Sequence, residues 1–361
     1  MIEIAEIVQD FWDEVVGGKK LCIMPVPRLC LSTKSGLIAG TRFYPDDSIN
    51  FGQLNIVSTP EYEWQKLERT GGSSSLGWSK SAATQIGLDD YQGHTLVAFP
   101  LVVNWNRFLD GDHDFHKDVM REASEKAEAA IDIIRFNYCR LDLPESLPGR
   151  AGSFNDRSSF SSAIFYDAGN NESYMIGAQL LTHLISCGLG LNIGSMDSLD
   201  EIERGEIGQI VRTALSLFGQ AMEANSQTSK FVQAMSLLDY LSSPATFMNM
   251  KEAKKEIAVH VASDKTQYQN CLDRFQQLSG KKVGEIETGY RTLIVHRGER
   301  LENIIPDQSD RSNLFRELAQ YIGKIIQDMI RMSDQNWSDM QAFREKRRKM
   351  LLSADKGHLD R

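Results

Sequence analysis

The spacing of apolar residues separates a first part of mixed character from a second part that is helical. Apolar positions at helical spacing predict helices over residues 4–16 and 115–138. Short apolar runs bounded by turn residues predict strands near residues 21–31, 38–44, 54–57 and 95–105, and a hairpin over 161–176. Pro25 and Pro27 indicate that the strand over 21–31 is an edge strand or is bent. Glycines and serines from residue 71 to 81 predict a loop.

From about residue 200 onward the apolar stripes recur at helical spacing in one segment after another. These segments predict helices over residues 207–222, 231–241, 251–261, 268–278 and 314–330, with no strands between them. Short connections between amphipathic helices predict a bundle. The expected fold class is therefore α+β, with a mixed α+β domain over 1–200, an all-α bundle over 201–332 and a basic C-terminal tail over 333–361.

The composition is that of a globular protein with two cores. The chain has 361 residues, of which 41% are hydrophobic and 25% are charged. Met1 to Val16 lacks the basic start of a signal peptide, and no apolar run has the length of a membrane span, so we expect no membrane association. The five cysteines have no CxxC spacing, which argues against a disulfide framework or a zinc module and indicates a cytoplasmic protein.

The distribution of charge indicates where a polyanion would bind. Residues 1–200 hold 16 lysines and arginines against 27 acidic residues, whereas residues 201–361 hold 24 against 22. Phosphate contacts depend on basic side chains, so the acidic first part is a poor general surface for nucleic acid. Any nucleic acid is expected to meet the second part.

One short motif in the second part carries chemistry. Leu293 to Val295 is an apolar run between Arg291 and His296, and Gly298 follows where a helix would stop. The Arg-x4-His spacing, followed by Arg-Gly, resembles the signature of HEPN domains, and the flanking helices look closest to the Apea-like branch. The resemblance covers roughly the last 160 residues. It implies a helical bundle that acts as a dimer, in many members as a metal-independent RNase of bacterial defence or toxin-like RNA restriction.

Arg291 and His296 suit the cleavage of RNA by its own 2′-hydroxyl. Histidine transfers protons near neutral pH, and the planar guanidinium of arginine makes paired hydrogen bonds to phosphate. No metal or other cofactor is expected. A second proton-transfer group is missing from one chain, and two copies would supply it. Thr292 stands where active HEPN members often have Asn, Asp or His. Thr292, Arg297 and Arg300 are candidates for contacts to RNA.

Three alternatives remain open from the sequence. The helical part would instead be a non-catalytic HEPN module for dimerisation or partner binding. In the RNase that the resemblance implies, residues 1–200 would be a sensory or regulatory domain for an unknown ligand. The segment Asp110–His116 would instead hold a metal through Asp112, His113 and His116, although acids that precede a helix more often stabilise its N-terminus. The basic run Arg344–Lys349 would be a solvated helix face or a contact to nucleic acid.

Overall fold

The structure is a computed structural model, and it divides the chain into two compact units. Unit 1 comprises residues 1–134 and 145–199, and unit 2 comprises residues 135–144 and 200–361. The residues described are 2–45, 49–50, 56–58, 91–111, 113–143, 146–153, 160–179, 190–193, 196, 202–246, 248–280, 282–283 and 286–353. The loop predicted over residues 71–81 lies outside this set.

The described part of unit 1 contains both helices and strands. Its helices are α1 (Ile4–Asp10), α2 (Trp12–Val16), α3 (Trp105–Leu109) and α4 (His113–Tyr138), the last of which continues into unit 2. Its strands are β1 (Ile2–Glu3), β2 (Lys20–Val26), β3 (Leu29–Leu31), β4 (Arg42–Tyr44), β5 (Ile49–Asn50), β6 (Ile56–Ser58), β7 (Thr95–Leu101), β8 (Phe160–Asp167), β9 (Glu172–Gln179) and β10 (Leu191–Ile193).

Six of these strands form one sheet in the order β4, β7, β2, β8, β9, β6. Neighbouring strands are antiparallel, except that β6 and β9 are parallel. The pairs β1–β5 and β3–β10 are parallel and lie outside this sheet. The predicted hairpin is confirmed as β8 and β9. The strand predicted near residues 95–105 is β7, whose seven residues are all buried.

The prediction of an edge position for the strand over residues 21–31 is wrong. Strand β2 lies between β7 and β8 in the sheet. Pro25 lies beyond the three residues that pair with β8, and its carbonyl accepts a hydrogen bond from Gly152, so its missing N–H breaks no bond to β8. The predicted bend is present, because the strand ends at Val26 and a new strand begins at Leu29.

Helices cover both faces of the sheet. Apolar residues of α1 and α2 pack in one cluster with Leu21, Ile23 and Ile164. On the other face, Lys126 of α4 lies 5.2 Å from the ring centre of Phe99. The alanine-rich side of α4 is buried, and small side chains let a helix approach a sheet closely.

The prediction of a single helix over residues 4–16 is wrong, because the helix is interrupted at Phe11. The backbone of Phe11 has φ −129°, outside the helical region, and separates α1 from α2. The break turns Trp12 and Val16 toward solvent, where they are 50% and 62% exposed. Their apolar side chains had suggested a continuous buried stripe.

The described part of unit 2 is mainly helical. Its helices are α5 (Glu206–Glu223), α6 (Gln227–Ser242), α7 (Met250–Val261), α8 (Lys265–Ser279), α9 (Tyr290–Arg297), α10 (Leu301–Ile304), α11 (Gln308–Ile330) and α12 (Trp337–Ser353). The prediction of helices without strands is wrong, because β11 (Lys282–Val283) and β12 (Ile286–Glu287) form an antiparallel hairpin between α8 and α9. The five long helical segments predicted from the apolar stripes are helices.

The basic run predicted within a C-terminal tail lies in helix α12. Arg344 is 2% exposed, and Arg348 forms an ion pair with Glu256 of α7. Lys346 and Lys349 are exposed. One arginine of the run is therefore a core residue of unit 2.

The structure is thus a mixed α+β protein whose main sheet is largely antiparallel. Among the described residues, no helix has both the length and the apolar character that crossing a membrane requires.

Candidate functional site

Helix α9 carries the Arg-x4-His motif and ends at a glycine. Gly298 has φ +68°, a left-handed conformation that glycine adopts without steric cost. Its N–H bonds to the carbonyl of Ile294, and the N–H of Glu299 bonds to the carbonyl of Leu293. These bonds satisfy carbonyls that a helix end leaves open. The predicted stop at Gly298 is confirmed, and the helix includes both Arg291 and His296.

The first turn of α9 is held by polar contacts to two neighbouring helices. Nη1 of Arg291 donates to Oδ2 of Asp239 on α6 at 2.5 Å. The hydroxyl of Thr292 donates to the carbonyl of Ser279, the last residue of α8, at 3.0 Å. Two glycines close the hairpin that precedes α9, because a Cβ on Gly289 would lie 2.2 Å from the backbone of Gly280. These contacts fix the first turn of α9, and with it the position of Arg291.

Burial opposes the charged form of the Asp239 carboxyl. Burial raises the pKa of this carboxyl above its usual value, although the ion pair with Arg291 acts in the opposite direction. Its Oδ1 is buried and has no hydrogen-bond partner among the described residues. Arg291 and Asp239 are 32% and 26% exposed, so the pair borders on solvent.

The last turn of α9 is open to solvent. Val295, His296 and Arg297 are exposed, and Val295 is 53% exposed despite its apolar side chain. Arg297 lies 4.0 Å from Glu299, and Arg300 is an exposed residue at the start of α10. Three basic side chains therefore extend into solvent at the end of the motif helix.

The structure does not bring Arg291 and His296 together within one chain. Residues five apart on an α-helix are separated by about 140° around its axis. Arg291 faces α6, whereas His296 is exposed, and no hydrogen bond or ion pair joins the two side chains in the described structure. One chain thus presents the two motif residues in different directions.

The other predicted site residues differ in their availability. The Thr292 hydroxyl donates its hydrogen to the carbonyl of Ser279 at the end of α8, so Thr292 helps to attach α9 to α8. Arg297 and Arg300 are exposed and available to a ligand. Of the three residues predicted to contact RNA, two are therefore exposed.

The rival metal site is described only in part, because the side chain of His113 lies outside the described residues. Nε2 of His116 is 2.8 Å from the carbonyl oxygen of Phe108, and the histidine is buried. Asp114 is exposed, and Asp112 lies outside the described residues. Among the described residues, no group of three His, Cys, Asp or Glu side chains is placed to hold a metal ion.

Asp239 is the site residue that the sequence prediction missed. Only Lys230 and Asp239 are charged in α6, and Asp239 lies in the last turn of the helix. The partial negative charge at a helix C-terminus disfavours an acidic side chain there. An acid in this unfavourable position, within an apolar segment, was the available signal.

Comparison with known proteins gives no relative: no protein-family model, no curated protein and no solved structure matches this chain.

Proposed function

We propose that the protein is a metal-independent endoribonuclease of the HEPN type, with an α+β domain followed by a HEPN helical bundle. The proposal places RNA at the exposed end of α9 and assigns Arg291 and His296 to catalysis. The observation that supports it best is the pairing of a half-exposed Arg291 with Asp239, on the same helix that exposes His296.

Arg291 is suited to bind the scissile phosphate. Nη1 is bonded to Asp239, and the remaining guanidinium nitrogens have no protein hydrogen-bond partner among the described residues. They are available for paired, charge-assisted bonds to phosphate oxygens. These nitrogens let Arg291 bind a phosphate while Nη1 keeps its hydrogen bond to Asp239.

His296 is suited to transfer protons. A base removes the proton of the 2′-hydroxyl, the 2′-oxygen attacks phosphorus, and the bond from phosphorus to the 5′-oxygen breaks. An acid gives a proton to that leaving oxygen. The products are a 2′,3′-cyclic phosphate and a free 5′-hydroxyl, and neither step needs a metal ion or another cofactor.

A homodimer through unit 2 would complete the site. One chain supplies one motif histidine, and its direction differs from that of Arg291. Two copies related by a two-fold axis would place the His296 side chains and Arg291 side chains of both chains in one groove. Light scattering at micromolar concentration is expected to show a dimer, and a monomer would contradict this arrangement.

The test is cleavage of RNA by the full-length protein in the presence of EDTA. Cleavage is expected to persist, to leave 2′,3′-cyclic phosphate ends and to stop when the nucleotide before the cut is 2′-deoxy. His296→Ala is expected to lower the rate by about 10²–10⁴-fold. Arg291→Ala is expected to lower the rate severely and to weaken RNA binding, because it removes the positive charge that faces the phosphate. Arg348→Ala is its control, because Arg348 and Glu256 are 23% and 21% exposed in their ion pair, close to the values for Arg291 and Asp239.

Asp239→Asn separates a role in the site from a role in stability. A carboxyl whose pKa is raised by folding contributes stability at low pH, and this contribution is lost as the pH rises through its folded pKa. At neutral pH the neutral asparagine should therefore leave stability unchanged or raise it. Cleavage should fall, because Arg291 loses the partner that positions it. A loss of stability at neutral pH with full cleavage would contradict both expectations.

A non-catalytic module is the second candidate, and the ion pair of Arg291 also supports it. A purified wild type that cuts no RNA, together with loss of the dimer in His296→Ala, would favour this scaffold over the enzyme. A strict requirement for an added divalent metal would instead favour the segment Asp110–His116.

A further inference from the structure

The last turn of α6 is capped by an arginine from the C-terminal helix. Nη1 of Arg344 donates to the carbonyl of Ser242 and Nη2 to the carbonyl of Leu241, each at 2.9 Å. These carbonyls belong to the end of α6 and have no partner within the helix. A guanidinium at this end also complements the partial negative charge of the helix C-terminus.

Asp239 lies in the same helical turn as these two carbonyls. Its own carbonyl accepts a hydrogen bond from the N–H of Ser243 at 3.3 Å, which closes the turn. Asp239 is the residue that holds Arg291. The turn that Arg344 caps is therefore the turn that positions the motif arginine.

Arg344 is fixed in this position by further contacts. Its Nε donates to Nε2 of His260 on α7 at 2.9 Å, and its guanidinium lies 4.9 Å from the centre of the Trp337 ring. At 2% exposure its charge is removed from water, so its hydrogen bonds are costly to lose. Nε, Nη1 and Nη2 of Arg344 thus each donate a hydrogen bond.

We propose that Arg344 is a positioning residue of the site: it caps α6, and through α6 it keeps Asp239 aligned with Arg291. The C-terminal helix is thereby a structural part of the RNA-cleaving site, although its Arg344 does not contact RNA. This inference rests on the proposed function for its effect on cleavage. The capping of α6 is independent of that function and can be measured without RNA.

The test compares Arg344→Met with Arg348→Met in the full-length protein. Arg348 lies on the same helix and pairs with Glu256 of α7, and no hydrogen bond joins it to α6 among the described residues. Hydrogen–deuterium exchange is expected to accelerate in the last turn of α6 and the first turn of α9 for Arg344→Met, and to stay unchanged there for Arg348→Met. Unchanged exchange in both turns of Arg344→Met would overturn the proposal.

Cleavage kinetics then test the path through Asp239. Arg344→Met is expected to lower kcat on the order of ten-fold with little change in KM. The same substitution in an Asp239→Asn background should lower kcat no further, because the residue through which it acts is already absent. Equal losses in both backgrounds would show a general structural effect and overturn the proposal.

Failure of the proposed function and failure of the role of Arg344 give different experimental results. If the wild type cuts no RNA, the proposed function fails, and the exchange measurement still decides whether Arg344 holds the two turns. If Arg344→Met does not fold, Arg344→Lys serves in the same assays, because an ammonium retains the charge but does not reach all three acceptors. Arg344→Lys with wild-type exchange and kcat would overturn the proposal.

Discussion

The buried imidazole of His260 should make unit 2 sensitive to acid. Its Nε2 must accept the hydrogen bond from Arg344, because a guanidinium only donates, and its Nδ1 lies 2.8 Å from Oδ2 of Asp328. The histidine is therefore neutral, with its proton on Nδ1. Burial lowers its pKa from 6.5 to about 4; Asp328 acts in the opposite direction, and the charges of Arg344 and Arg347 add to the lowering.

The direction of the pH effect follows from the two states of the histidine. The unfolded chain takes up a proton at His260 near pH 6.5, whereas the folded protein does so only near pH 4. The unfolded state thus binds more protons between these values, and stability falls as the pH is lowered through this window. The shift from 6.5 to about 4 corresponds to a total loss of about 3 kcal/mol, of which about 2 kcal/mol should appear between pH 7 and pH 5.

The measurement is urea unfolding of wild type and His260→Asn at several pH values, followed by far-ultraviolet circular dichroism. Asparagine does not titrate, so the variant should be less stable at neutral pH and should lose less stability on acidification. His296→Asn is the matched control, because it replaces an exposed imidazole outside the network. Parallel stability curves for wild type and His260→Asn would refute the assignment of a neutral, buried His260.

Three further substitutions address helix α9 and its surroundings. Thr292→Ala should cost about 1 kcal/mol of stability in urea unfolding, with little change in the rate of RNA cleavage, because the hydroxyl only caps α8. Gly289→Ala should lower the free energy of unfolding by more than about 2 kcal/mol, because the added Cβ would lie 2.2 Å from the backbone of Gly280. Gly323→Ala is its control: the added Cβ would meet no atom of another segment within 4 Å, so the substitution should be neutral or stabilising. Arg291→Lys should retain only part of the cleavage rate, since an ammonium makes no two-pronged contact to phosphate.

Local features of the fold could be predicted from the sequence because neighbouring residues determine them. Gly298 marked the end of α9, since a left-handed residue at a helix end favours glycine. Apolar runs bounded by turn residues identified β7 and the β8–β9 hairpin. The spacing of Trp12 and Val16 led to the wrong prediction of one continuous helix. Periodicity reports only the spacing of apolar residues, and it does not show that Phe11 interrupts the helix.

Contacts between distant segments were beyond this kind of prediction. Asp239 is 52 residues from Arg291 in the chain, and Arg344 is 102 residues from Ser242. Which charged residue meets which helix end depends on how the helices pack, and periodicity gives no information about partners. For this reason Arg344 was expected in a solvated basic run, although its side chain is in the core.

The two glycines that close the β11–β12 hairpin make this segment an insertion point. Gly280 and Gly289 are in backbone contact, so the chain leaves α8 and returns to α9 at almost the same place. A longer excursion adds only a slowly growing entropy of loop closure. An epitope or a spectroscopic label inserted between the two glycines is therefore expected to leave the distance from Arg291 to Asp239 unchanged.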